Sequence, residues 1–494
     1  MSQIVQALKE QGDEVEGVWM SKEVNTEEVN VEHKIKQALG SETPLRFFHN
    51  KTLVHPDDLG FNVSELPDVF TQFRKRIEGQ GFRNPLPAPE KLMPFPEMPK
   101  IENSAGVYSL GASDENQTLE HLVKPLMSEP SPANHTKLRN KELDSVASAV
   151  PFHGGETEAL DRLKHYFTEK LNGGKQPPAA TYKETRNGLL GVDYSTKFSA
   201  ALAHGLISPR DIAKQAHELD SATGKGGRAG GGYWIIFELL WRDYFFFVGW
   251  KYGSSLFTQK GIDGVLDPKS ADQTARSWQY PNSLEDDKDA FVQWMKGTTG
   301  VPLVDASQKE LIQTGFESNR SRQNVASFIT KDLKYDWRLG AEFFESLLVD
   351  YDPNSNYGNW QYVAGVGNDP RSSRQFNVVK QAKDYDSNGD YIVTWLPALK
   401  PLQGTNEVFH PWTLPEEKRP KGYPSRPVVE TGMWKPHYQV RDGRSKWRGG
   451  GSAKRGGGGP GTARAEGGRG GGGGGGGRGG GRGGGRGGRG GGPH

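Results

Sequence analysis

Between Tyr233 and Trp250 the chain passes through its most apolar stretch, and Glu238, Arg242 and Asp243 stand inside it. A membrane span needs about 18 or more apolar residues with few or no charges, so these three exclude this stretch as one. The stretch lies within a region, Gly154 to about residue 350, whose apolar residues recur at helical spacing. A helix here places Glu238, Trp241 and Arg242 on one face. A carboxylate, an indole and a guanidinium side by side suit stacking on an extruded base and hydrogen bonding to it. Nine of the twelve tryptophans lie between Trp234 and Trp412. For any one of them, ordinary core packing is the competing explanation.

The helical pattern is broad. Leu160, Leu163, Phe167 and Leu171 recur every three or four residues. Ser208-Pro209-Arg210-Asp211 starts a helix, with proline at its first position. Ser307 to Glu310 reads as a second capping box, and Asn319 to Leu333 buries Val325, Phe328, Ile329 and Leu333. Few runs alternate with period 2, so residues 151–432 read as an all-helical domain. Residues 1–80 instead alternate helix and strand: a short helix at Ile4, Val5 and Leu8, a strand at Val15 to Met20, a helix over Thr26 to Leu39, a strand at Leu45 to His49. That order implies an α/β sheet. Residues 81–150 form a proline-rich linker (NPLPAPEKLMPFPEMP), and 433–494 a disordered tail. A length of 494 residues suits two or three domains. No repeat of about 20–50 residues is visible.

Cysteine is absent, which excludes disulfides, thiolate zinc sites, dithiol redox chemistry and a cysteine nucleophile. It also suits a reducing, intracellular compartment, whether nucleus, cytoplasm or mitochondrion. There is no HExxH, GxSxG or GxxxxGK[ST] motif, and the twelve histidines are scattered, so no metal is expected. Gly224 to Gly232 follows a helix-like segment and reads as a plain loop. Ser195-Thr196-Lys197-Phe198-Ser199 places three hydroxyls and a lysine just before a helix, Ala200 to Gly205. Such a segment either caps the helix or holds an anion such as a pyrophosphate. Arg322 and Asp350 suit an ion pair. Asp350-Tyr351-Asp352 precedes a polar loop from Asn354 to Trp360, and loops rich in Asn, Gly and Asp favour unusual backbone geometry and function.

From Gly154 to Leu399 the chain resembles the flavin domain of the photolyase/cryptochrome family. The resemblance rests on GGETEALDRLKHYF, TYKETRNGLLGVDYSTKFSAALAHGLISPR, FELLWRDYFFF, TGFESNRSRQNVASFITKDLKYDWRLGAEFF, DYDPNSNYGNWQYVAGVGNDPRSSRQFN and YIVTWLPAL. Upstream, HPDDLGF and ELPDVFTQFRKRIE resemble the cryptochrome DASH branch, and the glycine-arginine tail resembles fungal members. The implied fold is α/β plus all-α: a partial Rossmann-like antenna domain, the helical FAD-binding domain, and a disordered tail. The resemblance implies that Tyr182 and Ser195, Thr196, Lys197, Phe198 and Ser199 hold FAD, with Asp350, Asp352, Arg322 and, facing flavin N5, Asn356. It implies an electron-transfer chain from flavin to surface through Trp360, Trp337 and Trp294. It places Glu238, Trp241, Arg242, Asn319 and Arg320 in a DNA-lesion pocket, and Arg186 and Gln381 at outlying DNA contacts. Tyr362 and Gln323 stand where double-strand photolyases carry Trp and Met. A smaller, more polar pocket gains less energy to offset unpairing a duplex.

The implied activity is light-driven repair of cyclobutane pyrimidine dimers in single-stranded or looped DNA, as in a deoxyribodipyrimidine photo-lyase. A blue-light photoreceptor that signals without repair is the alternative, and a non-enzymatic RNA-binding protein acting through its tail a third. Residues 441–494 hold twelve Lys/Arg against two Asp/Glu, leaving 50 basic against 58 acidic residues elsewhere. A mildly acidic body with a basic arm repeating Arg-Gly-Gly suits RNA or single-stranded DNA; a solvated extension is the plain alternative. A monomer without membrane contact is expected. The chain opens on MSQIVQALKE, a helix, whereas the family's α/β domain opens on a strand. The front of the antenna domain is therefore expected to be missing, and the site for 5,10-methenyltetrahydrofolate to be incomplete. Glu23, in SKEVNTEE, matches a folate-contacting position of relatives.

Overall fold

The computed structural model describes residues 2–87, 89–91, 94, 152–169, 176–225, 227–368 and 375–431. Most of the proline-rich linker and all of the tail lie outside these residues. The described residues form one compact unit. It opens with α1 (Ser2–Glu10), β1 (Val18–Ser21), α2 (Thr26–Leu39) and β2 (Leu45–Phe48). The strands are parallel, with Val18 opposite Leu45 and Ser21 opposite Phe48. Parallel strands require a crossover, and α2 supplies it. Among the described residues the sheet has these two strands. A third helix, α3 (Phe70–Ile77), then leads to the helical body.

The body continues with α4 (Glu156–Thr168), α5 (Ser199–Ala203), α6 (Pro209–Thr223), α7 (Gly231–Tyr252), α8 (Ala290–Lys296), α9 (Pro302–Thr314), α10 (Asn319–Ser327), α11 (Trp337–Leu347), α12 (Pro353–Ala364), α13 (Val378–Tyr385) and α14 (Asp390–Trp395). The apolar stretch becomes α7, the trunk of the molecule. It buries Ile235, Ile236, Leu239, Leu240 and Tyr244 to Val248, as a helix apolar on all sides must. Its start is tightly packed: a Cβ at Gly231 would lie 1.9 Å from the Ala179 carbonyl oxygen. Asp220 of α6 accepts from the Gly232 and Tyr233 amides, both at 2.9 Å, satisfying two donors that a helix start leaves open.

Asp243, inside the apolar run, docks the N-terminal segment. Its two carboxylate oxygens accept from the backbone of Leu53 (3.0 Å) and Val54 (2.7 Å). Phe70 of α3 stacks on Trp241 with centroids 3.6 Å apart, and Lys251 reaches Asp68 at 2.7 Å.

Two sequence expectations differ from the structure. Ser307 and Glu310 do not start a helix; they lie buried inside α9, whose first residue is Pro302. Ser307 donates to the Leu303 carbonyl, and Glu310 accepts from Tyr391. The expected polar loop from Asn354 to Trp360 is α12. Pro353 opens that helix, and Asp352 caps it by accepting from the Ser355 amide at 2.8 Å.

Candidate functional site

A cavity is walled by the 194–199 segment, α7, α10, α11 and α12. Four of the five residues of the hydroxyl-lysine segment line it: Ser195, Thr196, Lys197 and Ser199. Their loop is built by Arg162 of α4, which the sequence reading missed. Arg162 donates to the carbonyls of Thr196 (3.0 Å), Val192 (3.1 Å) and Ser195 (3.1 Å) and pairs with Asp193 at 2.8 Å. The only available signal was an arginine on the otherwise apolar-spaced helix face beside Leu163. Of the two readings of this segment, helix capping finds no support, because α5 begins at Ser199 with no side-chain cap bond.

Lys197 carries φ 60°, a left-handed conformation that costs a non-glycine residue. Its side chain is buried. Nζ lies 3.6 Å from the Tyr194 ring centroid and 4.3 Å from that of Phe316, and it has no hydrogen-bond partner among the described residues. Burial pulls its pKa down to about 7, against the opposing charge of Glu310.

Across the cavity, Arg322 and Asp350 form the expected pair, with Nη2 at 2.8 and 3.1 Å from the two carboxylate oxygens. Asp352 and Asn356 also line the wall, and Asn356 Nδ2 donates to the Ala341 carbonyl at 3.0 Å. Tyr182, expected at the flavin, and Trp360, expected in the electron-transfer chain, also stand in the lining. Glu317 lines the cavity too and was not foreseen. It is fully buried, neither carboxylate oxygen has a hydrogen-bond partner among the described residues, and burial holds its carboxyl well above the usual range.

At the same cavity stand Glu238, Arg186, Asn319 and Gln323. Arg186 pairs with Glu238 at 2.5 Å, and burial raises the Glu238 carboxyl although Arg186 opposes it. Arg320 lies behind them, donating at 2.8 Å to both Gln323 and Asn187 and stacking over Tyr385. It therefore positions Gln323 rather than lining the cavity.

Several expected residues point elsewhere. Phe198 is core, packed between Tyr166 and Phe167. Trp241 has Phe70 on one face and Phe245 stacked at 5.6 Å, with the Tyr362 edge at 5.7 Å. Arg242 turns away, donating to the carbonyls of Lys51 and Leu202. Helical spacing and the family resemblance both put these beside Glu238; here α3 and the 49–54 loop occupy them. Tyr362 and Gln381 also lie outside the lining. Glu23 is not in the lining; it pairs with Lys51, and burial raises its carboxyl, with a further push from the nearby Asp352 of the cavity wall.

The tryptophan order also needs correction. Trp294 does not reach the surface: it is fully buried, as is Trp337. Trp294 meets Trp360 directly, centroids 6.3 Å apart, while Trp337 meets the Tyr357 ring at 6.0 Å. Among the described residues no group of three His, Asp or Glu is arranged to hold a metal, and no helix is long and apolar enough to cross a membrane.

Comparison with known proteins agrees with this geometry. Residues 234–438 match the FAD binding domain of DNA photolyase, and residues 1–90 match a DNA photolyase domain. The chain is 44% identical to cryptochrome DASH of Danio rerio, over 83% of this chain and 69% of that one. It is 41% identical to cryptochrome DASH of Gloeobacter violaceus, over 88% and 80%. The solved structure of a Synechocystis cryptochrome superposes with a TM-score of 0.71 at 38% identity, covering 88% of this chain and 80% of that one. A class III photolyase from Agrobacterium tumefaciens does so with a TM-score of 0.66 at 25% identity, covering 88% and 80%.

Proposed function

Because the chain belongs to the photolyase/cryptochrome family, in its cryptochrome DASH branch, we propose that this blue-light FAD protein repairs cyclobutane pyrimidine dimers in single-stranded or looped DNA. The observation that carries the reading is a shared cavity: the residues expected to hold FAD, Phe198 apart, and Glu238, Arg186, Asn319 and Gln323 line one space. The residues fit the cofactor. A buried ammonium without a partner suits a phosphate, Arg322 and Asp350 offer a fixed donor and acceptor pair, and Tyr182 and Trp360 offer aromatic wall. When bound, FAD supplies light absorption and one-electron chemistry.

The chain's own residues hold and select. Glu238, kept in place by Arg186, is set to accept from or donate to a base edge according to its protonation. Gln323, oriented by Arg320, adds a polar contact at the same wall. Gln323 gives a flipped dimer less apolar contact than Met would, which favours substrates whose bases are already unpaired. The tail is proposed to bind RNA or single-stranded DNA through its arginines, and the folded part to act as a monomer.

The test is a light-dependent assay on single-stranded, looped and fully paired lesions. Repair of the first two and little of the third is the expected result. Equal repair of all three would overturn the selectivity. No repair of any, with the flavin reduced, would move the reading to a photoreceptor.

A further inference from the structure

Lys197 and Glu317 share an unusual situation. Both line the cofactor cavity, both are buried, and the polar atoms of both lack a hydrogen-bond partner among the described residues. Their neighbours are already committed. Glu310, from α9, accepts from Tyr391 at 2.7 Å, and Arg322, from α10, is paired with Asp350. Arg162 of α4 is occupied by the 192–196 loop, and Tyr194 stands under the lysine. Glu310, Arg162, Arg322, Asp350, Tyr194 and Tyr391 are the charged or titratable groups that face the pair.

A buried carboxylate that accepts no hydrogen bond is costly, even with the Arg322 guanidinium nearby and donating to the Glu317 backbone carbonyl at 2.8 Å, so the neutral acid is the stable form. In that form Glu317 is a donor lacking an acceptor. Lys197 is likewise a donor lacking an acceptor. A dinucleotide brings both: phosphate oxygens, ribityl hydroxyls and ring carbonyls. Resting on FAD occupancy of this cavity, we propose that Glu317, as a carboxylic acid, and Lys197, as an ammonium, both donate to the bound cofactor, so that FAD enters together with a proton.

The proton balance follows from the unbound chain. Burial leaves the Lys197 amine half protonated at about pH 7. Above that pH most chains hold a neutral amine, and an arriving diphosphate restores the charge by drawing a proton from solution. Binding thus raises the lysine pKa. The affinity it contributes is complete below about pH 7 and declines as pH rises, by about tenfold per unit for one proton. Burial holds the Glu317 carboxyl well above the usual range, so it stays neutral and able to donate; wherever it does ionise, a carboxylate there would face an anion and weaken binding.

The experiment is calorimetric titration of the full chain, freed of FAD, with FAD at about pH 8 in HEPES and in Tris, whose ionisation enthalpies differ. The expected heats differ by an amount that corresponds to uptake of about one proton, and affinity falls close to tenfold from pH 8 to pH 9. Lys197→Arg keeps its charge at every pH and is expected to bind with most of this uptake gone. Glu317→Gln keeps a donor without a titrating proton. It is expected to bind within about threefold of the parent at pH 7 and to show a shallower decline at the alkaline end. Tight binding with buffer-independent heats in the parent chain would overturn the proton coupling and leave FAD occupancy standing. A Glu317→Gln profile superimposable on the parent's would remove Glu317 from it. Failure of the parent chain to bind FAD at any pH would instead reject occupancy of the cavity.

Discussion

Arg322 and Asp350 lie 28 positions apart, yet the carboxylate takes both of its hydrogen bonds from one guanidinium nitrogen. Asp350 is buried, while Arg322 opens partly onto the cavity. Asp350→Ala leaves that guanidinium without its partner and is expected to cost about 1–3 kcal/mol, with FAD content falling alongside. Denaturant unfolding and the ratio of flavin to protein absorbance measure the two effects. The tryptophans make a different demand, since they are core residues whose role depends on neighbours. Trp337 donates to the Gln259 carbonyl at 3.0 Å and is fully buried. Trp337→Phe loses that bond but keeps most of the volume, so it is expected to leave FAD content unchanged in the dark and to slow light-driven flavin reduction. Flash photolysis reads the rate, and a parental rate would show that the Trp360–Trp294 contact suffices.

At the scale of elements, the site depends on how closely α11 and α12 approach. Gly340 of α11 faces the Trp360 ring, and a Cβ there would lie 2.3 Å from the ring edge. Trp360 lines the cavity, so its position is set by that missing side chain. Gly340→Ala should improve intrinsic helix propensity by about 1 kcal/mol yet destabilise the protein overall, because overpacking costs about 1–3 kcal/mol. Reduced thermal stability and reduced FAD content are the expected readouts; a more stable variant with full flavin would refute the packing argument. The end of α10 shows a related adjustment. It widens into a π-helical turn over Phe328–Asp332, which carries the chain towards Asp336 and the start of α11. Such turns are common near functional sites.

For the whole molecule, the attachment of the N-terminal segment matters most. Asp243 serves two amides of the 53–54 backbone from the middle of a buried helix, and burial raises its pKa to about 7. Asp243→Ala strands both donors, at about 1–3 kcal/mol each, and loosens the segment that also covers Trp241. Faster amide exchange at Leu53 and Val54 is the specific expectation. Equal exchange would mean that Phe70, Phe73 and Ile77 hold the segment unaided. The basic tail is expected to act separately. Deleting residues 441–494 should leave FAD binding and lesion repair intact while lowering affinity for RNA or single strands and flattening its salt dependence, because fewer counterions are released. Binding measured across a salt series decides this.

Local chemistry was legible from the residues in order. The boundaries of α2 follow from its periodicity, the start of α6 from Ser208-Pro209, and the burial of α7 from apolar side chains on every face. Long ordered matches carried the family, and with it most of the cavity wall. What could not be read was the direction of side chains where separate elements meet. Trp241 and Arg242 share a helix face with Glu238, but α3 and the loop near Lys51 claim them first. Ser307 and Glu310 have the spacing of a cap and the burial of a core, and only the packing of α9 against Tyr391 separates the two. Nothing in the sequence around Glu317 marks it as buried. Spacing is a property of one helix, whereas burial and partnership are properties of several chain segments brought together. The residues that the tertiary structure reassigned are those at which a distant segment outcompeted the local one.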